Sequence, residues 1–333
     1  MSSVYSARPQ GSRAADFVAD NAQVLSIAVF FIACVLFFSA TTDAFLTLGN
    51  ILNLLRQAAP MLVVAVAMTF VITTGGIDLS VGSIVALINA LAAISIAAGI
   101  PWPLVAFGML VLGGLIGLAQ GWFVAYQAIP SFIVTLAGLS ALRGIALYMT
   151  QGYSIPIGSA PGFVEIGRGW FLGIPMPAFI AVVTAVAGYL VLTGMKYGRQ
   201  VVAIGANFEA ARRVGMPARW VTASVYGLTG IASAVAGIMI AARLGSGSSN
   251  AAVGFELDVI AAVVLGGTSL MGGRGTMLGT VLGALTIATI GNGLILMHIS
   301  PFFTQIVTGA IILVAIWLNT RIFAVRFGLG RKS

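Results

Sequence analysis

The chain has 333 residues, of which 59% are hydrophobic and 7% charged, and its mean hydropathy is +1.09. Soluble domains carry about 25% charged residues, so 16 Lys+Arg and 8 Asp+Glu cannot clothe a 34.2 kDa globule, and most of the outer surface must face lipid. The same composition excludes disorder and leaves no room for a large extramembrane catalytic domain. The net charge of +8 points to cytoplasmic loops that collect Lys and Arg, not to nucleic acid. A single cysteine, Cys34, excludes an internal disulfide and a cysteine-based metal site.

A bilayer-crossing helix takes roughly 20 residues. In chain order the apolar runs are 24–40, 51–72, 81–98, 104–126, 132–150, 178–194, 221–242, 259–270, 277–297 and 302–318. The fold expected is all-α and polytopic, with about ten transmembrane helices, broken or short helices near the centre and a helix in a cytoplasmic loop. The eighth run is short enough to be re-entrant. Residues 1–23, with Arg8 and Arg13, read as a cytoplasmic tail ahead of an uncleaved first span. Residues 24–320 then form one transmembrane domain with a cytoplasmic loop at 195–220, and 321–333 form a second cytoplasmic tail. Ten crossings from an internal amino end place twelve of the sixteen basic residues in the cytoplasm, the asymmetry expected of a bacterial inner-membrane protein. The four that remain are Arg56, Arg143, Arg168 and Arg243.

Three places depart from apolar helix plus short loop. At residues 73–83, Gly75 and Gly76 break a helix, and Asp78 or Ser80 can cap the next one. Either this is a capped turn or it is a broken helix lining a polar pathway, since unwound backbone is tolerated at membrane depth only where protein or water satisfies it. At residues 264–279 the spacing recurs: Gly75, Gly76 and Gly82 match Gly272, Gly273 and Gly279 at a constant offset, a pointer to an internal repeat around a central pathway. In the loop 195–220, Gly205-Ala206-Asn207-Phe208-Glu209-Ala210-Ala211-Arg212-Arg213-Val214-Gly215 reads as a short helix with its punctuation complete. Asn207 is its N-cap, Glu209 suits the amino end of the dipole, Arg212 and Arg213 the carboxyl end, and Gly215 then Pro217 stop it. A helix of about seven residues is marginal alone. It either lies on the bundle or headgroups or docks another protein through the flat face left by Ala210 and Ala211.

Other features weigh less. Gly113, Gly114 and Gly117, and Gly279 with Gly283, read as helix-packing seams. Arg143 either snorkels to the outer interface or needs a partner in the bundle. Residues 151–175, with Glu165 and Arg168, read as an ordered outer lip. The lone histidine, His298, cannot build a metal site. Asn89, Gln120, Trp122, Asn292 and Gln305 can hydrogen-bond hydroxyls in a pathway, or can equally hold helices together.

These residues resemble the permease subunits of ATP-binding cassette sugar importers of the ribose, xylose, arabinose and galactofuranose class, the galactofuranose type most of all. The match is carried by Gly75-Gly76-Ile77-Asp78-Leu79-Ser80-Val81-Gly82, by 129–138 with Arg143-Gly144, by the 205–215 segment, and by Glu256-Leu257-Asp258 running into Gly266-Gly267-Thr268. The resemblance implies a permease paired with a second copy or a sister permease, two cytoplasmic ATPases and a periplasmic sugar-binding protein. It also implies that Asn207 to Gly215 is the coupling helix and that ATP and Mg sit on the partner subunits, this chain binding no cofactor. Glu209-Ala210-Ala211 followed by Gly215 resembles the wider importer docking motif, but Val225-Tyr226-Gly227-Leu228 stands where Ile-x-Leu-Pro would follow, a departure that suits this sugar class.

The chain has no glycine-rich phosphate loop ending in Gly-Lys-Ser/Thr, and no clustered nucleophile and base that would mark an enzyme. The rival reading is a secondary transporter or channel for a small polar solute, for which Asp78 and Arg143 would be the only intramembrane ionisable groups. Tags at the two ends are expected to be reachable only from the cytoplasmic side of intact cells; labelling on opposite sides would overturn the ten-crossing topology.

Overall fold

A computed structural model describes residues 22–158 and 160–300 together with Phe303, Ile306, Val307, Gly309, Ala310 and Leu313. The residues 1–21, the tail 321–333, Gln305 and most of the tenth apolar run lie outside the described residues. Long helices follow the apolar runs: α1 Ala22–Thr41, α2 Leu48–Thr73, α3 Val81–Ala97, α4 Trp102–Tyr126 and α5 Ser131–Thr150. A lip of β1 Ile155–Pro156, α6 Pro161–Arg168 and the β2 Trp170–Phe171/β3 Ile174–Pro175 hairpin leads into α7 Met176–Gly194. Then come α8 Lys196–Ala206, α9 Phe208–Arg213, α10 Ala218–Leu244, β4 Ser246–Gly247, α11 Phe255–Leu265 and α12 Met277–Leu296.

Seven of these helices are long and apolar enough to cross a membrane: α1, α2, α4, α5, α7, α10 and α12. Helix α3 is apolar but has 17 residues. The eighth run differs from expectation. Its helix α11 begins at Phe255, four residues before the run at 259, and ends at Leu265, because Gly266 and Gly267 stop it. At 11 residues it is about 16 Å long, too short to cross as a helix alone. The loop 195–220 also differs, holding a second helix, α8, whose Gly198, Val201 and Ile204 are buried while Lys196 and Arg199 stay outside the core.

Polarity is distributed inside out. Helices α2, α3 and α10 form the centre, and there Thr69, Thr73, Ser83, Thr229 and Ser233 are fully buried. The outer helices α1, α4, α5 and α7 expose Val29, Leu36, Phe107, Leu115, Phe132 and Leu190. That arrangement suits lipid, where apolar side chains need not be hidden; Thr69 bonds to the Ala65 carbonyl (2.8 Å) and Thr73 to that of Thr69 (2.6 Å), whereas Ser233 Oγ has no partner among the described residues.

Without a hydrophobic drive between helices, association in lipid depends on close backbone approach. Gly113, Gly117 and Gly121 on α4 meet the backbone of Gly230, Tyr226 and Ala223 on α10. Gly279 and Gly283 on α12 meet Gly266 and Ala262 in the same way. Both packing seams read from the sequence are therefore present. A Cβ at position 117 would collide with the Tyr226 carbonyl. Gly117→Val is expected to destabilise the detergent-solubilised protein by about 1–3 kcal/mol, whereas Gly108→Val, open on that side, leaves it unchanged. Chemical denaturation followed by tryptophan fluorescence checks both.

Candidate functional site

Helix α2 stops where Gly75 takes a left-handed conformation, φ +84°, which only glycine adopts without cost. The extended segment that follows is pinned to the start of α5: Ile77 N donates to Ser131 Oγ (3.1 Å) and Thr135 Oγ1 donates to the Ile77 carbonyl (3.2 Å). Asp78 is fully buried. Its Oδ1 accepts from the Ser80 amide at 2.9 Å and lies 2.6 Å from Ser80 Oγ. Asp78 thus braces Ser80, the residue just ahead of α3, but neither side chain takes a helix amide as the expected cap would, and the Ser80 hydroxyl lies 2.9 Å from Gln120 Oε1 on α4. Asp78 Oδ2 has no hydrogen-bond partner among the described residues. The neighbouring Thr229 hydroxyl is spent on the Val225 and Tyr226 carbonyls, both at 3.0 Å. Gly76 leaves room for the buried phenol of Tyr226, which a Cβ there would strike.

The second break, between α11 and α12, folds on itself. Thr276 Oγ1 donates to the Gly266 carbonyl (2.6 Å), Ser269 N to the Arg274 carbonyl (3.0 Å), and Gly272 is left-handed at φ +79°. The two breaks, separated by nearly two hundred residues, touch. Gly273 N donates to the Thr73 carbonyl at 2.9 Å, and Thr69 and Thr280 share a hydroxyl contact of 2.8 Å. The last turn of α8 completes the junction, because a Cβ at Gly205 would strike the Thr73 carbonyl and crowd the Gly273 amide. Gly75, Gly205, Gly272 and Gly273 are thus brought to one point.

One residue past α8, the chain turns into α9. Asn207 is extended, φ −161° and ψ 103°, and its Oδ1 accepts from Ala210 N at 2.9 Å, the N-cap expected. Glu209 pairs with Arg212 at 2.9 Å in an exposed i,i+3 bridge, of the kind worth about 0.3–0.5 kcal/mol on a helix surface. Ala211 is the buried anchor. Glu209, Ala210, Arg212, Arg213, Val214 and Gly215 are exposed on a continuous stretch, and Met216 N returns to the Ala211 carbonyl at 3.1 Å to close the turn.

Arg143 on α5 does have a partner within the bundle. Its Nη1 donates to the Ser249 (2.7 Å) and Ala251 (2.8 Å) carbonyls and its Nη2 to Ala252 (3.3 Å). These carbonyls belong to the link between α10 and α11, whose Glu256 carboxylate packs against Gly82 at the start of α3. Beside this link is a cavity of about 840 Å³ between α2, α11 and α12, with Gln57, Asp258 and Asn292 as its polar groups and Phe255 on its wall. Volumes of 300–1,000 Å³ are usual for small-molecule sites.

Of the residues singled out for a polar pathway, Asn292 lines this cavity and exchanges amide bonds of 2.9 and 3.0 Å with Asn50. Asn89 is buried between α10 and its following turn, bonded to the Gly237 carbonyl (3.3 Å) and the Ser248 amide (2.6 Å). Gln120 faces the first break, and Trp122 is exposed on α4, edge-on to Phe123. Gln57 and Asp258 were not singled out for a pathway from sequence. Asp258 had a signal, an acid two residues from Glu256 at the head of an apolar run; Gln57 had none.

Residues 50–316 match the family model described as "Branched-chain amino acid transport system / permease component". The chain is similar to the Xylose transport system permease protein XylH of Escherichia coli K12, 37% identical across 90% of this chain and 92% of the relative. It is similar to the Ribose import permease protein RbsC of Bacillus subtilis 168, 43% identical across 86% and 89%. The Probable ABC transporter permease protein YphD of Escherichia coli K12 is 40% identical across 93% and 94%. No solved structure matches at a comparable level.

If the backbone junction holds the breaks together, Gly205→Ala is expected to raise the exchange rate of the Gly273 amide at least about tenfold, a loss of about 1.4 kcal/mol in local opening, with α4 and α10 protection unchanged. Hydrogen exchange by mass spectrometry reads both regions.

Proposed function

Because the chain belongs to the permease-component family of ABC importers, we propose that it forms the translocation pathway for a monosaccharide of pentose or furanose type. The family makes it a multi-pass transport subunit and not an enzyme. Transport is named for the similar xylose permease and import for the similar ribose permease, and the motif-level likeness to galactofuranose-type permeases extends the proposal to furanose rings. The proposal also includes both termini in the cytoplasm, one transmembrane domain over 24–320, a second permease copy or sister, a periplasmic sugar-binding protein, and ATP with Mg held by cytoplasmic ATPase subunits.

The observation that carries this reading is the position of α9. It is short, capped and exposed, and follows directly on the turn of α8 that touches both helix breaks. A docked ATPase that displaces α9 displaces Gly205, and with it the end of α2 and the break that follows α11. The cavity walls belong to those same helices, so ATP-driven movement is passed to the pathway without any nucleotide site in this chain. In the cavity, Gln57, Asp258 and Asn292 supply donors and acceptors for sugar hydroxyls, and Phe255 offers an apolar face for the ring. The reading as an ion-coupled carrier is less well supported, since Arg143 is spent on three backbone carbonyls.

In proteoliposomes holding the permease, its ATPase and its binding protein, uptake of labelled pentoses is expected only with ATP. Glu209→Ala combined with Ala210→Arg is expected to cut uptake at least about tenfold, as a charge forced into a docked face does, while the bundle stays folded and ATP hydrolysis no longer responds to sugar. Unchanged uptake in the double variant would refute the assignment of α9.

A further inference from the structure

Six buried side-chain nitrogen or oxygen atoms among the described residues have no hydrogen-bond partner, and four of them belong to Asp78 and to Thr222, Tyr226 and Ser233 of α10. Together with Thr229, the three α10 positions are spaced by four, three and four residues, which sets them on one face of the helix. That face is turned inward, since Tyr226, Thr229 and Ser233 are fully buried. Gly76 at the first break lies against the Tyr226 phenol, and Gly237, four residues beyond Ser233, lies against the Val85 carbonyl and Ile88 of α3. The hydroxyl stripe therefore runs along the seam that α10 makes with the first break and α3.

Protein interiors hold few unpartnered polar groups, and each one costs stability. Around the break the neighbouring groups are already engaged. Thr229 Oγ1, beside Asp78, turns to the Val225 and Tyr226 carbonyls at 3.0 Å. Ser131 Oγ, beside the phenol, accepts from Ile77 N at 3.1 Å. Ser80 serves the other carboxylate oxygen, Oδ1, through its amide and its hydroxyl. Left over are an acceptor, Asp78 Oδ2, and a donor, the Tyr226 hydroxyl, close enough for the carboxylate charge to act on the phenol. Phenylalanine would fill the same space without burying a hydroxyl, so this hydroxyl carries a cost that packing at this position does not require.

Complementary groups that are buried as neighbours and left unbonded fit a seam with a second register. We infer that α10 shifts against the first break during transport, and that in the shifted state the Tyr226 hydroxyl donates to Asp78 Oδ2. No proton changes hands. A hydrogen bond present in one state and absent from the other draws the equilibrium toward the first, and bonds to a carboxylate are among the stronger ones. The inference rests on the importer reading above, which supplies the drive. Helix α10 begins at Ala218, close behind the end of α9 at Arg213, and Met216 N closes the turn between them on the Ala211 carbonyl at 3.1 Å. Displacement of α9 therefore reaches α10 through a braced turn. Asp78 and Tyr226 act as positioning residues, setting the state of the bundle without touching solute.

The experiment uses the permease–ATPase complex in nanodiscs, trapped with ATP and vanadate. Tyr226→Phe removes the hydroxyl alone. Because that hydroxyl makes no bond in the state described here, the thermal midpoint of the nucleotide-free complex is expected to stay at the wild-type value. The ATP concentration for half-maximal trapping is expected to rise at least about tenfold, the loss that a hydrogen bond to a charged group represents, and uptake to slow with it. Unchanged trapping would overturn the inference, as would a lowered nucleotide-free midpoint, which makes the phenol a fixed structural contact. Should the variant fail to assemble, infrared difference spectra of the wild type decide: trapping is expected to shift a carboxylate band that Asp78→Asn removes, and no shift overturns the pairing. Wild-type complex that hydrolyses ATP and moves no solute overturns the importer reading itself, a separate outcome.

Discussion

The carbonyl of Thr73 ends one helix, accepts the amide of Gly273 from a second interruption, and lies under the last turn of α8. Helix ends are where backbone groups lack partners, and inside lipid such groups must find them within the protein. Here two interrupted helices satisfy one another, and the absence of side chains at the glycines lets a third helix press on both. Much of the remaining architecture follows. The polar centre of α2 and α10 exists because interrupted backbone has to be enclosed, and the apolar rim of α1, α4, α5 and α7 encloses it.

The same constraint explains why the scarce charges are informative. A buried carboxylate is costly unless it is bonded, and Asp78 is held by the amide and hydroxyl of Ser80 at the first break. Arg143 gathers three carbonyls, those of Ser249, Ala251 and Ala252, from a stretch that belongs to no helix or strand. In each case an ionisable group replaces the hydrogen bonds that a helix would have supplied.

The helices were legible because a run of some twenty apolar residues has one cheap conformation in lipid. The cap of α9 was legible for a similar reason, since Asn207, Glu209 and Gly215 each act on backbone within four residues. Helix α8 could have been read from Val201 and Ile204 spaced by three among polar residues, but its position in a charged loop hid it. The meeting of Gly75, Gly205 and Gly272 could not be read, because contacts across 130 and 67 residues leave no local periodicity. Asn89 and Gln120 show the opposite limit: an amide in an apolar run looks the same whether it faces a pathway or, as here, the main chain of a neighbouring turn or a serine.

Helix α11 is fastened at both ends. The link that leads into it is clamped by Arg143, and the turn that leaves it enters the glycine junction. Between those points stand 11 residues, about 16 Å of hydrogen-bonded rod that can tilt or slide but cannot stretch. The cavity wall formed by Phe255, Asp258 and Ala261 rides on that rod. A push delivered at the glycine junction therefore arrives at the Arg143 clamp undiminished in length, and a wall that cannot yield locally moves as one piece.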